Sequence, residues 1–408
     1  MPNIIFMFPG VGSHYFGMGK TLYDNFSVAK LAFEEASDAV KMDLAKLCFS
    51  PDYKDELQKL KNSQLALVCV GVTTYRVFME EIGLLPAFSM GYSLGEYSAL
   101  VCAGAIEFKD ALQMVQERGD VVSDVANGIS GTMAWVTNID SRTVEQICVE
   151  VSQTGDEVYV SAYDTPLKTS ISGTNTAIRK AGEKVVEAGG IAIPIKMSGP
   201  FHSPLMIEAA NKFKEILIKY NYQQPQYPVL SNYSAHPFTD HASIIENLSL
   251  QLVSPIRWQE SLYYGLSRGT DMAIELGPKT VLKYLLENNT KECPVYSFDK
   301  AEDLQAIKNS FFFTEEEYMP LIAKCLATVV STKNYNKHNN GYEESVVQTF
   351  EQVQNIYEQL VETKTLVQKE HALAAIHMLQ SALVAKNLPE RKHADQIKKV
   401  LGHKRFSS

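Results

Sequence analysis

The stretch Gly91-Tyr92-Ser93-Leu94-Gly95-Glu96 constrains this chain more than any other. It is a G-x-S-x-G pentapeptide followed by glutamate. Before it, Pro86-Ala87-Phe88-Ser89-Met90 reads as a short buried strand; after it, Glu96-Tyr97-Ser98-Ala99-Leu100-Val101-Cys102-Ala103 suits a packed helix. A strand that turns directly into a helix needs a sharper bend than bulky residues permit, and a glycine on each side of Ser93 relieves it. The hydroxyl then stands at the apex, where the helix N-terminus offers N–H groups and a positive dipole end to a developing oxyanion. The pentapeptide alone is a common pattern. Its setting between strand and helix makes a nucleophilic serine the first reading.

An activated serine needs a base within hydrogen-bonding reach, usually a histidine. Of the nine histidines, His202 stands out, because Gly199-Pro200-Phe201-His202-Ser203-Pro204 fixes a loop directly after an apolar strand. A hydrolase-like order of serine, acid and histidine could recruit Asp164 as a third member.

Around these residues the pattern is that of an α/β protein. Ile4–Phe8 is a strand candidate closed by Pro9 and the loop Gly10-Val11-Gly12-Ser13, and helical patterns follow at 28–47, 64–81 and from Phe108 to about Val125. This alternation predicts a largely parallel sheet. From 128 to 198 the order becomes β-α-β-β-α-β, that of a ferredoxin-like unit, and strands near Pro228–Ser231 and Met272–Glu275 resume the first texture. The expected fold is an α/β-hydrolase-like large domain (1–127 and 199–310), an inserted ferredoxin-like subdomain (128–198) and a helical C-terminal extension (311–408).

In that extension, Lys333–Gly341 is a polar linker. Val346, Phe350, Val353, Tyr357 and Leu360 then mark one amphipathic stripe, and Ile376, Leu379 and Leu383 another. The expectation is a helical hairpin packed on the main domain, broken by Pro389 and followed by a basic, partly disordered tail. A docking element for a partner protein is the alternative.

Bulk properties set limits. A net charge of -9 argues against nucleic acid as main partner, since phosphate binding needs a basic face. Six scattered cysteines without a C-x-x-C pair read as reduced core residues, which makes a disulfide framework or zinc site unexpected. The N-terminus has no basic leader, and no apolar run is long enough to cross a bilayer, so no membrane role and a cytoplasmic location are expected.

Four separated blocks now make the likeness specific. Phe8-Pro9-Gly10-Val11-Gly12-Ser13-His14 with Gly17-Met18-Gly19, the Gly91–Leu100 elbow, Glu117-Arg118-Gly119, and Gly199–Met206 together resemble the malonyl-CoA:acyl-carrier-protein transacylase family, especially the free-standing acyltransferases of polyketide pathways. Weaker matches are Leu252–Trp258 and Glu275–Pro278, and the likeness covers roughly residues 1–300.

The resemblance implies a ping-pong transfer of malonyl through an acyl-serine to the phosphopantetheine thiol of an acyl carrier protein, in polyketide or fatty acid biosynthesis. It implies Ser93 and His202 as catalytic residues and the backbone N–H groups of Val11 and Leu94 as the oxyanion hole. It implies Arg118 as the clamp on the malonyl carboxylate, with Phe201 and Tyr92 beside the acyl group. A backbone carbonyl, assigned to Arg257 in the Ser254–Arg257 loop, would orient the histidine. No metal or bound organic cofactor is implied; coenzyme A and phosphopantetheine enter as parts of substrates.

The chain departs from the family pattern at several of these places. Val11 and His14 replace glutamines, Tyr92 replaces a histidine, and Ala162, Asp164 and Lys168 stand where two asparagines and a glutamine are usual. Two alternatives therefore stay open. One is an acyltransferase-like hydrolase that clears acyl groups from carrier proteins; the other is a non-catalytic carrier-binding subunit.

Overall fold

The computed structural model describes residues 2–153, 155–195 and 199–406. The expected subdomain boundary at Ser198 lies outside them. The chain divides into two compact units, Pro2–Leu304 and Gln305–Ser408.

Among its described residues the first unit has nine strands: β1 (Ile4–Phe8), β2 (Phe88–Gly91), β3 (Gly131–Thr137), β4 (Val158–Thr165), β5 (Lys168–Thr174), β6 (Ile191–Ile195), β7 (Val229–Leu230), β8 (Met272–Glu275) and β9 (Val295–Ser297). Five of them form a parallel sheet in the order β7-β2-β1-β8-β9. β1 is central and wholly buried, which explains its unbroken apolar run: both faces of a parallel strand are covered. On one face the helix Leu60–Glu81 packs against it, with Phe6 and Phe78 edge to face at 4.9 Å between ring centroids. The sheet is built outward from β1 in both directions, the arrangement in which α/β proteins place their sites beyond the carboxyl ends of the strands. The Gly10–Ser13 loop and the Ser93 elbow both start there.

The other four strands form an antiparallel sheet in the order β4-β5-β3-β6, the ferredoxin-like arrangement. Helices Ser141–Ser152 and Asn175–Glu187 cover one face and close a small core around Ala134, Val136, Val144, Ile171 and Val185. Asp140 and Thr174 cap them, each side chain accepting a backbone N–H one turn on. The outer strand β4 is tied to the large domain where Ile256 N–H donates to Ser161 O and Tyr163 N–H to Ile256 O, both at 2.9 Å. β9 is absent from the sequence reading; three residues are too few to show a period.

The unit Gln305–Ser408 has its own core. Helices Glu315–Ser331, Thr349–Thr363, Lys369–Ala385 and Glu390–Leu401 bury Leu321, Ile322, Cys325, Val353, Leu360, Leu379, Leu383 and Val400 in one cluster. The amphipathic stripes bury Val346, Val353, Leu360, Leu379 and Leu383 in this unit's own cluster, together with residues of helix Glu315–Ser331. One expectation is corrected here. In the tail after Pro389, Glu390–Leu401 is a helix with Pro389 at its N-cap, because proline can begin a helix as well as end one. Among the described residues no helix is long and apolar enough to cross a membrane.

The elbow tolerates little added volume. A Cβ on Gly95 would lie 2.0 Å from the carbonyl oxygen of Phe8, backbone that cannot yield, whereas one on Gly128 would meet Val125 O at an ordinary 3.5 Å. Gly95→Ala should therefore lower stability by about 3 kcal/mol or more, and Gly128→Ala by less than about 1 kcal/mol. Urea-denaturation midpoints check this. Equal midpoints would mean the elbow backbone has slack.

Candidate active site

Ser93 sits between β2 and helix Gly95–Cys102 with φ +50°, a left-handed conformation that a residue with a side chain adopts only when its surroundings enforce it. The enforcement is visible. Tyr92 N–H donates to Phe8 O at 2.9 Å, locking the elbow onto the end of β1. Ser93 N–H donates to Asn232 Oδ1 at 2.7 Å, and Asn232 Nδ2 donates to Gly91 O at 2.6 Å. Gln251 Nε2 donates to Ser93 O at 3.0 Å. Gly10 approaches so closely that a Cβ there would stand 2.3 Å from Tyr92 O, which lays the Gly10–Ser13 loop on the elbow.

His202 reaches the same point from the Gly199–Pro204 loop, also with positive φ (+58°). Its Nε2 is 2.9 Å from Ser93 Oγ and its Nδ1 is 2.7 Å from the carbonyl oxygen of Gln251. A carbonyl can only accept. In the neutral ring Nδ1 therefore carries the proton, and Nε2 presents its lone pair to the serine hydroxyl. Burial lowers the pKa of His202 to about 4; the Gln251 carbonyl opposes that shift and the nearby Arg118 charge reinforces it. Near neutral pH the ring is a free base.

Arg118 lies on helix Phe108–Asn127 and is 5% exposed. Its Nη1 reaches the neutral Gln64 Oε1 at 3.3 Å, and its Nε is buried without a partner. Burial depresses its pKa, with Tyr97 and Glu96 offsetting part of the effect. Among the described residues no carboxylate forms a salt bridge with it. A buried guanidinium so sparsely paired is a ready site for an anion.

Among the described residues the backbone N–H groups of Leu94 and Val11 have no acceptor. Leu94 precedes the elbow helix and is buried; Val11 is exposed on the loop that lies over the elbow. Two free donors near a serine at a helix N-terminus are what an oxyanion requires. Phe201 packs its ring edge where a Gly199 Cβ would be, at 2.9 Å. Among the described residues no group of three or more His, Cys, Asp or Glu side chains gathers as a metal site.

Arg257 does not orient the histidine. Its carbonyl begins the next helix and accepts the Ser261 N–H at 3.0 Å, while its N–H donates to Asn232 O at 3.0 Å. Gln251 takes the role because it ends helix His241–Gln251, where last-turn carbonyls have no helical donor and carry the negative end of the dipole. Tyr92 is also differently placed. Its ring packs near Trp258, 5.5 Å between centroids, and its hydroxyl donates to Asp164 Oδ1 at 2.7 Å. Asp164 takes Ser170 Oγ on its other oxygen at 3.2 Å, so it is not a third member behind His202. Two departures from the family pattern, Tyr92 and Asp164, are thus the two ends of one hydrogen bond between the elbow and β4. Sequence reasoning missed Gln251 and Asn232, and it gave Glu96 no role.

With this geometry in place, comparisons with known proteins agree. The family model described as acyl transferase domain matches residues 5–308. A malonyl CoA-acyl carrier protein transacylase of Bacillus subtilis is 35% identical over 392 residues, covering 95% of this chain and 98% of that protein. One from Escherichia coli (strain K12) is 34% identical over 283 residues, covering 69% and 91%. Among solved structures, a malonyl-transacylase in complex with its type II polyketide synthase acyl-carrier protein matches with TM-score 0.72 and 33% identity, over 75% of this chain and 99% of that one. An acyl carrier protein S-malonyltransferase from Vibrio cholerae matches with the same TM-score and identity, over 75% and 100%.

A depressed pKa keeps a histidine unprotonated further into acid. The rate at which phenylmethylsulfonyl fluoride modifies Ser93 should therefore stay level down to about pH 5 and be half lost near pH 4, where His202 takes its proton. A midpoint near 6.5, the value of a solvated imidazole, would contradict the burial of this ring.

Proposed function

This chain belongs to the malonyl-CoA:acyl-carrier-protein transacylase family, and we propose that it moves malonyl between thiols with Ser93 as nucleophile and His202 as base. The substrates are malonyl-CoA and the phosphopantetheine thiol of an acyl carrier protein, in fatty acid or polyketide biosynthesis. One observation carries the acyl-group reading. A buried Arg118 that has no carboxylate partner among the described residues lies close enough to the Ser93–His202 pair for its charge to depress the histidine pKa.

The residues support the following sequence. Ser93 Oγ attacks the thioester carbonyl carbon as its proton passes to His202 Nε2. The oxyanion is held by the N–H groups of Leu94 and Val11, aided by the helix N-terminus. The transient imidazolium is stabilised by the Gln251 carbonyl at the negative end of its helix. Collapse breaks the C–S bond, and His202 returns the proton to the departing coenzyme A thiolate. The carrier thiol then attacks the malonyl-serine ester with His202 again as base, and Ser93 leaves, reprotonated by the same nitrogen. Every proton and leaving group is handled by Ser93, His202 and the two substrates, so the cycle draws on no metal or bound organic cofactor. Throughout, Arg118 holds the malonyl carboxylate, and Phe201 beside His202 limits branching at the α-carbon. The six free, buried cysteines support a cytoplasmic place of action.

Malonyl-CoA should add a malonyl group to Ser93, and Ser93→Ala should remain unmodified; intact-protein mass spectrometry reads both. Arg118→Ala should reduce kcat/KM for malonyl-CoA at least 30-fold, consistent with removing one partner of a desolvated charge pair, about 2 kcal/mol or more. Acetyl-CoA turnover should change less than fivefold. Equal losses for the two substrates would refute the clamp, and release of free malonate faster than carrier loading would turn the reading toward hydrolysis.

A further inference from the structure

Glu96 is wholly buried one turn beyond Ser93 and forms no salt bridge among the described residues. A carboxylate in that position is destabilising unless its oxygens are well occupied. Both are. Oε1 accepts the backbone N–H of Asn232 and Oε2 accepts Gln251 Nε2. These donors belong to the two residues that hold the reacting pair. Asn232 Oδ1 fixes the Ser93 N–H at 2.7 Å, and the Gln251 carbonyl fixes His202 Nδ1 at 2.7 Å.

We propose that Glu96 is the positioning residue of the active site, a buried brace that aims Asn232 at the serine and Gln251 at the histidine through its two oxygens. It touches neither substrate nor reacting atoms. Resting on the Ser93–His202 reading, the inference adds a reason for an acid at position 96. A residue needed only for packing would be apolar there, since a buried carboxyl adds a desolvation penalty without adding volume that leucine lacks. Burial raises Glu96 to about 8 against the opposing pull of the Asn232 and Gln251 donors and the Arg118 charge. The brace also constrains Gln251, whose Nε2 spans Glu96 and Ser93 O while its own carbonyl faces the histidine. Rotation of that residue would release both contacts together.

The test is single-turnover acylation of Ser93 by malonyl-CoA in the full chain, read as a saturating rate and a half-saturating concentration. Glu96→Gln places an amide N–H₂ against a donor and should slow the saturating rate at least 10-fold, with the half-saturating concentration within twofold of wild type. Gln251→Met keeps the backbone carbonyl but loses the link to Glu96, and should cause a similar loss. The double variant should be no slower than the slower single, because the two act as one unit. Acylation of Glu96→Gln or Gln251→Met within threefold of wild type, or losses that multiply in the double variant, would overturn the brace while leaving the transferase reading intact. Failure of the wild type itself to acylate would overturn the transferase reading, and the brace with it.

Discussion

The hydrogen bond from His202 Nδ1 to the Gln251 carbonyl, 2.7 Å long, decides what the rest of this site can do. Because a carbonyl only accepts, the bond fixes the imidazole tautomer and leaves Nε2 as the base against Ser93. A carboxylate in the same place would raise the histidine pKa by its charge. A carbonyl gives orientation with a partial charge, so burial prevails and the ring stays neutral. The elbow is held with equal firmness. Its left-handed serine, its contact with the end of β1 and the Asn232 amide all oppose relaxation. Two residues in strained backbone conformations meet through the Ser93–His202 hydrogen bond and the Gln251 carbonyl.

Charge around the reacting pair is arranged with similar restraint. Arg118 is buried beside a histidine that must stay neutral, and its field helps to keep it so. The nearby carboxylate, Glu96, is occupied by N–H donors and forms no ion pair with the guanidinium. Arg118 therefore remains available to an acyl group that brings its own carboxylate. On the opposite flank, the Tyr92–Asp164 bond joins the elbow to the ferredoxin-like sheet. Two unusual residues thereby satisfy each other in a buried setting where either alone would be left unpaired.

How much of this was legible in sequence follows from range. The elbow and the His202 loop are local, written in glycine and proline, and both were readable. So were β1 and the ferredoxin-like order, because strand and helix periods differ. Gln251 was not, because the functional group is a backbone carbonyl and carries no residue-type signature; only its place at a helix end distinguishes it. Tyr92 and Asp164 were noticed separately as departures, but their bond spans 72 positions and emerges only when β4 folds against the large domain. Pro389 misled because proline can begin a helix as well as end one, and the polar residues after it hide the few apolar contacts, such as Val400, that hold that helix.

The central claim is that His202 is a neutral base whose proton sits on Nδ1. Nitrogen NMR of the histidine-labelled protein at pH 7, with His202 assigned by comparison with His202→Ala, reads this directly. One protonated nitrogen hydrogen-bonded to a carbonyl and one bare nitrogen facing Ser93 is the expected result. An imidazolium at that pH, or a proton on Nε2, would contradict it.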